Sequence, residues 1–179
     1  MQDKRVCLDF DDARISSDGG LLMLRQVEEE LGLIHALASV LKDSRHPSYV
    51  KHRMDELLGQ RLVQIACGDE EANDCDQLRS EPGLKMFCGR LPETDLDSAS
   101  QPTQSRFEHR ISRPMLHRLA EVFVAVFLRS YAEAPKVIVL YFDDTEDKVY
   151  GHQQLGLFHG LFDEYCFMPL HVRETLSGH

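Results

Sequence analysis

Glycine and proline are scarce in this sequence, 11 and 7 among 179 residues. That is about a tenth of the chain, well below the roughly 25–30% of low-complexity sequence. No apolar run approaches the ~18 residues that a bilayer-spanning helix needs, and no internal repeat is present. Met1 to Arg5 lead into a charged stretch rather than an apolar leader, so no secretory signal is expected. The five cysteines (Cys7, Cys67, Cys75, Cys88 and Cys166) are odd in number and contain no C-x-x-C pair. Free thiols in a reducing cytoplasm fit this spacing better than a disulfide or zinc framework. Positive charge is also short, 20 basic against 30 acidic residues for a net charge of −10. The deficit is uneven: residues 98–130 carry five basic groups and two acidic ones, the one basic segment in an acidic chain. Local balance of this kind bears on partners more than the total does. The expectation is a folded cytoplasmic chain with no membrane segment, long enough for one full domain or for a small domain with part of another.

What is present is mainly helical periodicity. RVCLDF over residues 5–10 alternates well enough for a short strand. Ser16, Ser17 and Asp18 can cap a helix carrying Leu21, Leu24, Val27 and Leu31, which Gly32 closes. The LLMLR stripe reads as core, and Glu28-Glu29-Glu30 as a solvated face. A second helix fits Ile34 to Leu41, and a longer one runs through Val50, Met54, Leu57, Leu58, Leu62 and Ile65 to Gly68. Weaker helical signals cover Glu71 to Leu78 and Leu84 to Phe87. Residues 89–102 read as a loop, and Pro102 and Thr103 open a short helix to Arg110. Ser112 and Pro114 start the strongest helix, to about Tyr131. Its Leu116, Leu119, Val122, Phe123, Val126 and Phe127 predict a place at the centre of a helical bundle.

The period then changes. Val137 to Phe142 predicts a buried strand that runs into Asp143-Asp144-Thr145-Glu146-Asp147. Tyr165 to Val172 predicts a second strand, bent by Pro169, and Ser177-Gly178 a hairpin turn. A strand delivering carboxylates to a sheet rim suits a divalent-metal site or an aspartyl nucleophile; an acidic turn that merely solvates the strand end fits as well. Alternation puts Asp143 on one face with Tyr141, and Asp144 on the other with Phe142. A phosphatase of the haloacid dehalogenase type would need its nucleophile at position 141, which is Tyr141. His152, His159 and His171 match no zinc spacing.

Several strings together resemble a known family. They are RISSDGGLLMLR (Arg14 to Arg25), QRLVQIACGDEEANDCDQLRSEPGLK (Gln60 to Lys85), GRLPET (Gly89 to Thr94), SQPTQSRFEH (Ser100 to His109), FDDTED (Phe142 to Asp147) and GHQQLGLFHGLFDEYCFMPLHV (Gly151 to Val172). In order and over most of the chain, they resemble the DDE transposases of bacterial insertion sequences, closest to the thirteen-eighty group. Gln104 and His109 depart from the family pattern.

The resemblance implies an α+β chain. Residues 1–132 would be a mainly helical, DNA-binding region, and residues 133–179 the first strands of an RNase H-like mixed sheet, left incomplete. It implies DNA cleavage and strand transfer by two Asp and one Glu holding two Mg²⁺ (or Mn²⁺) ions. Asp143 maps onto the first catalytic and metal-binding Asp, with Asp144 as fallback. The second Asp and the Glu are expected beyond residue 179, so this chain alone is expected to be a truncated, inactive transposase. The alternative is a non-catalytic DNA-binding or inhibitory protein derived from one. The partner implied is double-stranded DNA at the inverted-repeat ends of the element, on the bacterial nucleoid, with self-association into a homo-oligomer. Arg106, Arg110 and Arg113 fall at i, i+4 and i+7 in the basic segment and suit phosphate contact, helped by Thr103 and Ser105, with Gln104 nearby. A solvated helix face with local salt bridges explains the same stripe.

Overall fold

The computed structural model describes Ser16 and residues 18–151 and 155–175. The strand expected over residues 5–10, residues 152–154 and the turn at Ser177-Gly178 lie outside the described residues. The chain divides into two compact units, Met1–Val126 and Phe127–His179.

The first unit is helical. Helix α1 spans Leu21–Leu31 and stops at Gly32, whose φ of 62° is open to glycine at little cost and whose N–H returns to the Glu28 carbonyl. Helix α2 (Leu33–Ser39) follows at once. Glu28 is not simply solvated: its carboxylate takes the Ile34 N–H at 2.7 Å, satisfying one of the orphan donors of α2. Helix α3 (Met54–Cys67) opens with Glu56 accepting the Arg53 N–H at 3.1 Å and closes at Gly68. Val50, expected in this helix, lies ahead of it. Two short helices, α4 (Cys75–Leu78) and α5 (Pro82–Phe87), lead through a loop to α6 (Gln101–Glu108) and α7 (Arg113–Arg129).

Two small cores hold these helices. Leu21, Val63, Leu84 and Phe87 join α1, α3 and α5. Leu41, Leu57, Ala99 and Phe107 join α3 and α6 to the segments that follow α2 and precede α6. The second core is bridged by buried amides rather than by apolar contact alone. The Gln60 side chain both accepts the Ala99 N–H at 2.8 Å and donates to the Ala99 carbonyl at 2.9 Å. Gln104, fully buried, donates to the Leu57 carbonyl at 3.0 Å. Its place inside the core removes it from the expected contact surface. Lys85 is buried as well, and its ammonium donates to the carbonyls of Pro92 and Asp95 at 2.7 and 2.8 Å. That pins the loop the composition predicted.

Helix α7 does not occupy the centre of a bundle. It buries no residue fully; Met115 and Leu119 pack on the second core, while Leu116, Phe123, Val124 and Leu128 stay more than half exposed. The reason is that Leu57, Phe107 and Gln104 already fill the contact between α3 and α6. Of the LLMLR stripe only Leu21 is fully buried, and Met23 is 74% exposed.

The second unit is β-rich, so the chain is α+β. Strand β1 (Leu140–Asp144) pairs antiparallel with β5 (Leu170–Glu174). Between them β2 (Asp147–Lys148), β3 (Leu157–His159) and β4 (Glu164–Phe167) form a separate antiparallel sheet in the order β2-β4-β3. The described strands are all antiparallel, in two small sheets rather than one mixed sheet. The single bent strand expected over 165–172 is thus two strands in two sheets. Pro169 causes the break: it has no N–H for a ladder, and its carbonyl instead takes the Thr145 N–H at 3.2 Å. The expected burial of Val137 to Phe142 does not hold either. Every residue of β1 is exposed, and among the described residues β5 alone pairs with it.

Replacing Gln60 by Ala strands the Ala99 N–H and carbonyl in a buried site, and each such group costs about 1–3 kcal/mol. Urea unfolding followed by helical circular dichroism is expected to show Gln60→Ala less stable by about 2–4 kcal/mol. A loss below about 0.5 kcal/mol, the scale of ordinary surface changes, would contradict the role given to this bridge.

Candidate functional site

The three expected arginines do not form one helical stripe. Helix α6 ends at Glu108, so Arg110 lies in the turn that follows and Arg113 begins α7. Arg106 and Arg110 instead converge on a cleft of about 40 Å³ with Arg45, floored by Met54, Leu57 and Phe107 and edged by Thr103. Arg106 reaches the Thr103 hydroxyl at 3.5 Å. Ser105 Oγ and His109 Nδ1 lie 3.4 Å apart, and the His109 Nδ1 is 2.6 Å from the Ser105 carbonyl. Arg45 was not legible as a site residue. It belongs to an acidic segment and follows Asp43, so a count of charge by segment cancels it.

The described arginines of this unit fall into two groups. Arg25, Arg45, Arg53, Arg61, Arg79 and Arg90 each pair with a carboxylate within 3.3 Å. Among the described residues, Arg106, Arg110, Arg113 and Arg118 have no ion pair, although the chain carries ten more acids than bases. Those four stand in consecutive turns of the segment that the composition marked as basic. Unpaired surface arginines keep their full attraction for an external anion.

In the second unit, Asp143, one residue before the end of β1, stands directly opposite His171, and Tyr141 stands opposite Arg173. The Arg173 guanidinium carbon lies 5.1 Å from the centre of the Tyr141 ring, a cation–π distance. One face of this ladder therefore presents Tyr141, Asp143, His171 and Arg173 together. Asp144 shares the other face with Leu140, Phe142, Leu170, Val172 and Glu174. Nearby, the Lys148 ammonium pairs with Glu164 at 2.8 Å. A hydrogen bond shared with Glu164 pushes the Glu146 carboxyl above its ordinary range, whereas Lys148 draws Glu164 below its own. His152 lies outside the described residues.

A two-ion centre needs several convergent carboxylates. Among the described residues no group of three His, Cys, Asp or Glu side chains could hold a metal. The Asp143 face offers one carboxylate and one imidazole beside a guanidinium that repels a cation. These residues do not on their own fit a two-Mg²⁺ centre.

The whole chain, residues 1–179, matches the family model described as "Transposase DDE domain group 1". This chain belongs to the DDE transposase family. No curated protein and no solved structure matches it. Family membership makes transposition its function and DNA its partner, and DDE transposases in general use a divalent metal. No helix among the described residues is long and apolar enough to cross a membrane.

The unpaired arginines of this transposase-family chain should be dispensable for folding. Arg110→Ala and Arg113→Ala are expected to shift unfolding free energy by no more than about 0.5 kcal/mol. Arg61 pairs with Glu108 and donates to the Glu70 carbonyl, and Arg61→Ala should cost about 1–3 kcal/mol. Chemical denaturation of the three variants checks this; equal losses would erase the distinction between structural and free arginines.

Proposed function

We propose that this chain binds the inverted-repeat ends of a bacterial insertion sequence, of the thirteen-eighty group, and takes part in their cleavage and joining. Arg106, Arg110 and Arg113, with Thr103 and Ser105 beside them, contact backbone phosphates. The observation that carries the reading is the run of arginines without ion pairs in an otherwise acidic, ion-paired unit. Phosphate contacts position a protein on a duplex without reading its sequence, which suits exposed arginines on a helix–turn–helix edge.

Asp143, rather than Asp144, is the first of the three carboxylates, in an RNase H-like core that uses Mg²⁺ or Mn²⁺. Asp143 shares its face with Tyr141, His171 and Arg173, and Thr145 follows it by two residues; Asp144 lies on the other face with Leu140, Phe142, Leu170, Val172 and Glu174. The two remaining carboxylates are not assigned among the described residues. The chain acts in the cytoplasm, on nucleoid DNA, as a homo-oligomer. The second reading, DNA binding without cleavage and inhibition of active subunits, is favoured by the lone carboxylate on the Asp143 face.

Fluorescence anisotropy with a duplex carrying the element ends, titrated with salt, tests the binding half. Three phosphate contacts predict that log K falls against log salt with a slope of about −2.7. The variant with Arg106, Arg110 and Arg113 all changed to Ala should lose most of that slope. Salt-insensitive binding, or none, would refute the interface. In the same mixture with Mg²⁺, nicking that disappears in Asp143→Ala and persists in Asp144→Ala supports the catalytic reading; binding with no nicking supports the second.

A further inference from the structure

One arginine of the cleft between α3 and α6 already holds an anion. Asp43 holds Arg45 by both ends of its carboxylate: Arg45 Nε donates to Oδ1 at 2.8 Å and Nη2 to Oδ2 at 2.6 Å. The Arg45 backbone N–H adds a third bond to Oδ1 at 3.0 Å. This is the fork-on-carboxylate geometry by which arginine also grips a phosphate. Arg45 is held at the cleft rather than swung into solvent, since Nη2 also lies 3.5 Å from the Met54 sulfur and its side chain is only 16% exposed. Arg106 and Arg110 share the cleft with it. The Arg45 side chain holds the Asp43 carboxyl below its usual range, and the charge of Arg110 adds to that pull. The cleft, about 40 Å³ and lined by three guanidinium groups, suits a small anionic group such as a phosphate.

We infer that Asp43 is an internal stand-in for a DNA phosphate: it occupies Arg45 in the free protein and gives way when a backbone phosphate enters the cleft against Arg45, Arg106 and Arg110. Arg45 is thereby a DNA-binding residue from a separate segment of chain. Binding displaces one carboxylate, so affinity is set below what three arginines alone would give. This rests on the reading of Arg106 and Arg110 as phosphate contacts.

The test uses the full chain and a labelled random-sequence duplex, read by anisotropy across a salt series. Asp43→Asn should bind about five- to tenfold more tightly at ~0.1 M salt with its slope nearly unchanged, because the same phosphates are contacted in both proteins. Asp43→Ser gives an independent removal of the carboxylate and should act alike. Arg45→Ala should weaken binding, and in that background Asp43→Asn should bring no gain. Two results overturn the inference while leaving the arginine interface standing: Asp43→Asn binds no better while Arg106→Ala and Arg110→Ala bind worse, or the gain persists without Arg45, which would make Asp43 a general repulsive charge. If Arg106→Ala and Arg110→Ala both bind as the parent does, the interface fails and the inference with it.

Discussion

The helical unit depends on a few buried amides. Gln60 closes on Ala99 through two hydrogen bonds and Gln104 closes on the Leu57 carbonyl, so α6 is fastened to α3 at fixed depth and rotation. Apolar contacts alone would allow helices this short to slide, because a hydrophobic contact has no direction. A side-chain amide paired at both its donor and its acceptor has one geometry. The Arg61–Glu108 pair secures the far end of the same contact. With α6 fixed in this way, Arg106 and Arg110 are carried to the edge where Arg45 waits.

That scaffold explains how an acidic protein can present a cationic edge. Most arginines of the first unit are occupied by carboxylates or carbonyls, and Arg25 spends its guanidinium on the carbonyls of Met86 and Phe87. Those groups hold loops and helix ends together. Among the described residues of that unit, the ones without ion pairs gather in a single segment, where exposure costs nothing and an external phosphate can reach them. Net charge describes the average surface, and this surface is divided.

Much of the helical architecture was legible because it follows from spacing and caps: α1 ends at Gly32 and α3 at Gly68, each glycine in the left-handed region. Helix α7 was legible in extent and misread in burial. Periodicity reports an apolar face but not whether anything covers it, and here Gln104, a polar residue, takes a core position that pattern reading assigns to an apolar one. The β unit was harder. Pro169 signals a break in a strand, yet whether the two halves share a sheet is settled by long-range pairing that no local pattern encodes. The site divides likewise. Arg106, Arg110 and Arg113 stand out by local charge, whereas Arg45 is masked by its neighbour Asp43, and the pairing of Asp143 with His171 and of Tyr141 with Arg173 needs the register of β1 on β5.

The central claim is that the edge formed by residues 43–45 and 101–118 is where DNA lies. Hydrogen–deuterium exchange on the full chain, with and without saturating duplex, addresses it without any substitution. The account predicts slowed exchange in peptides covering residues 43–46 and 101–118 when duplex is present. Protection confined to other peptides of the first unit, with these segments unchanged at saturation, would contradict it.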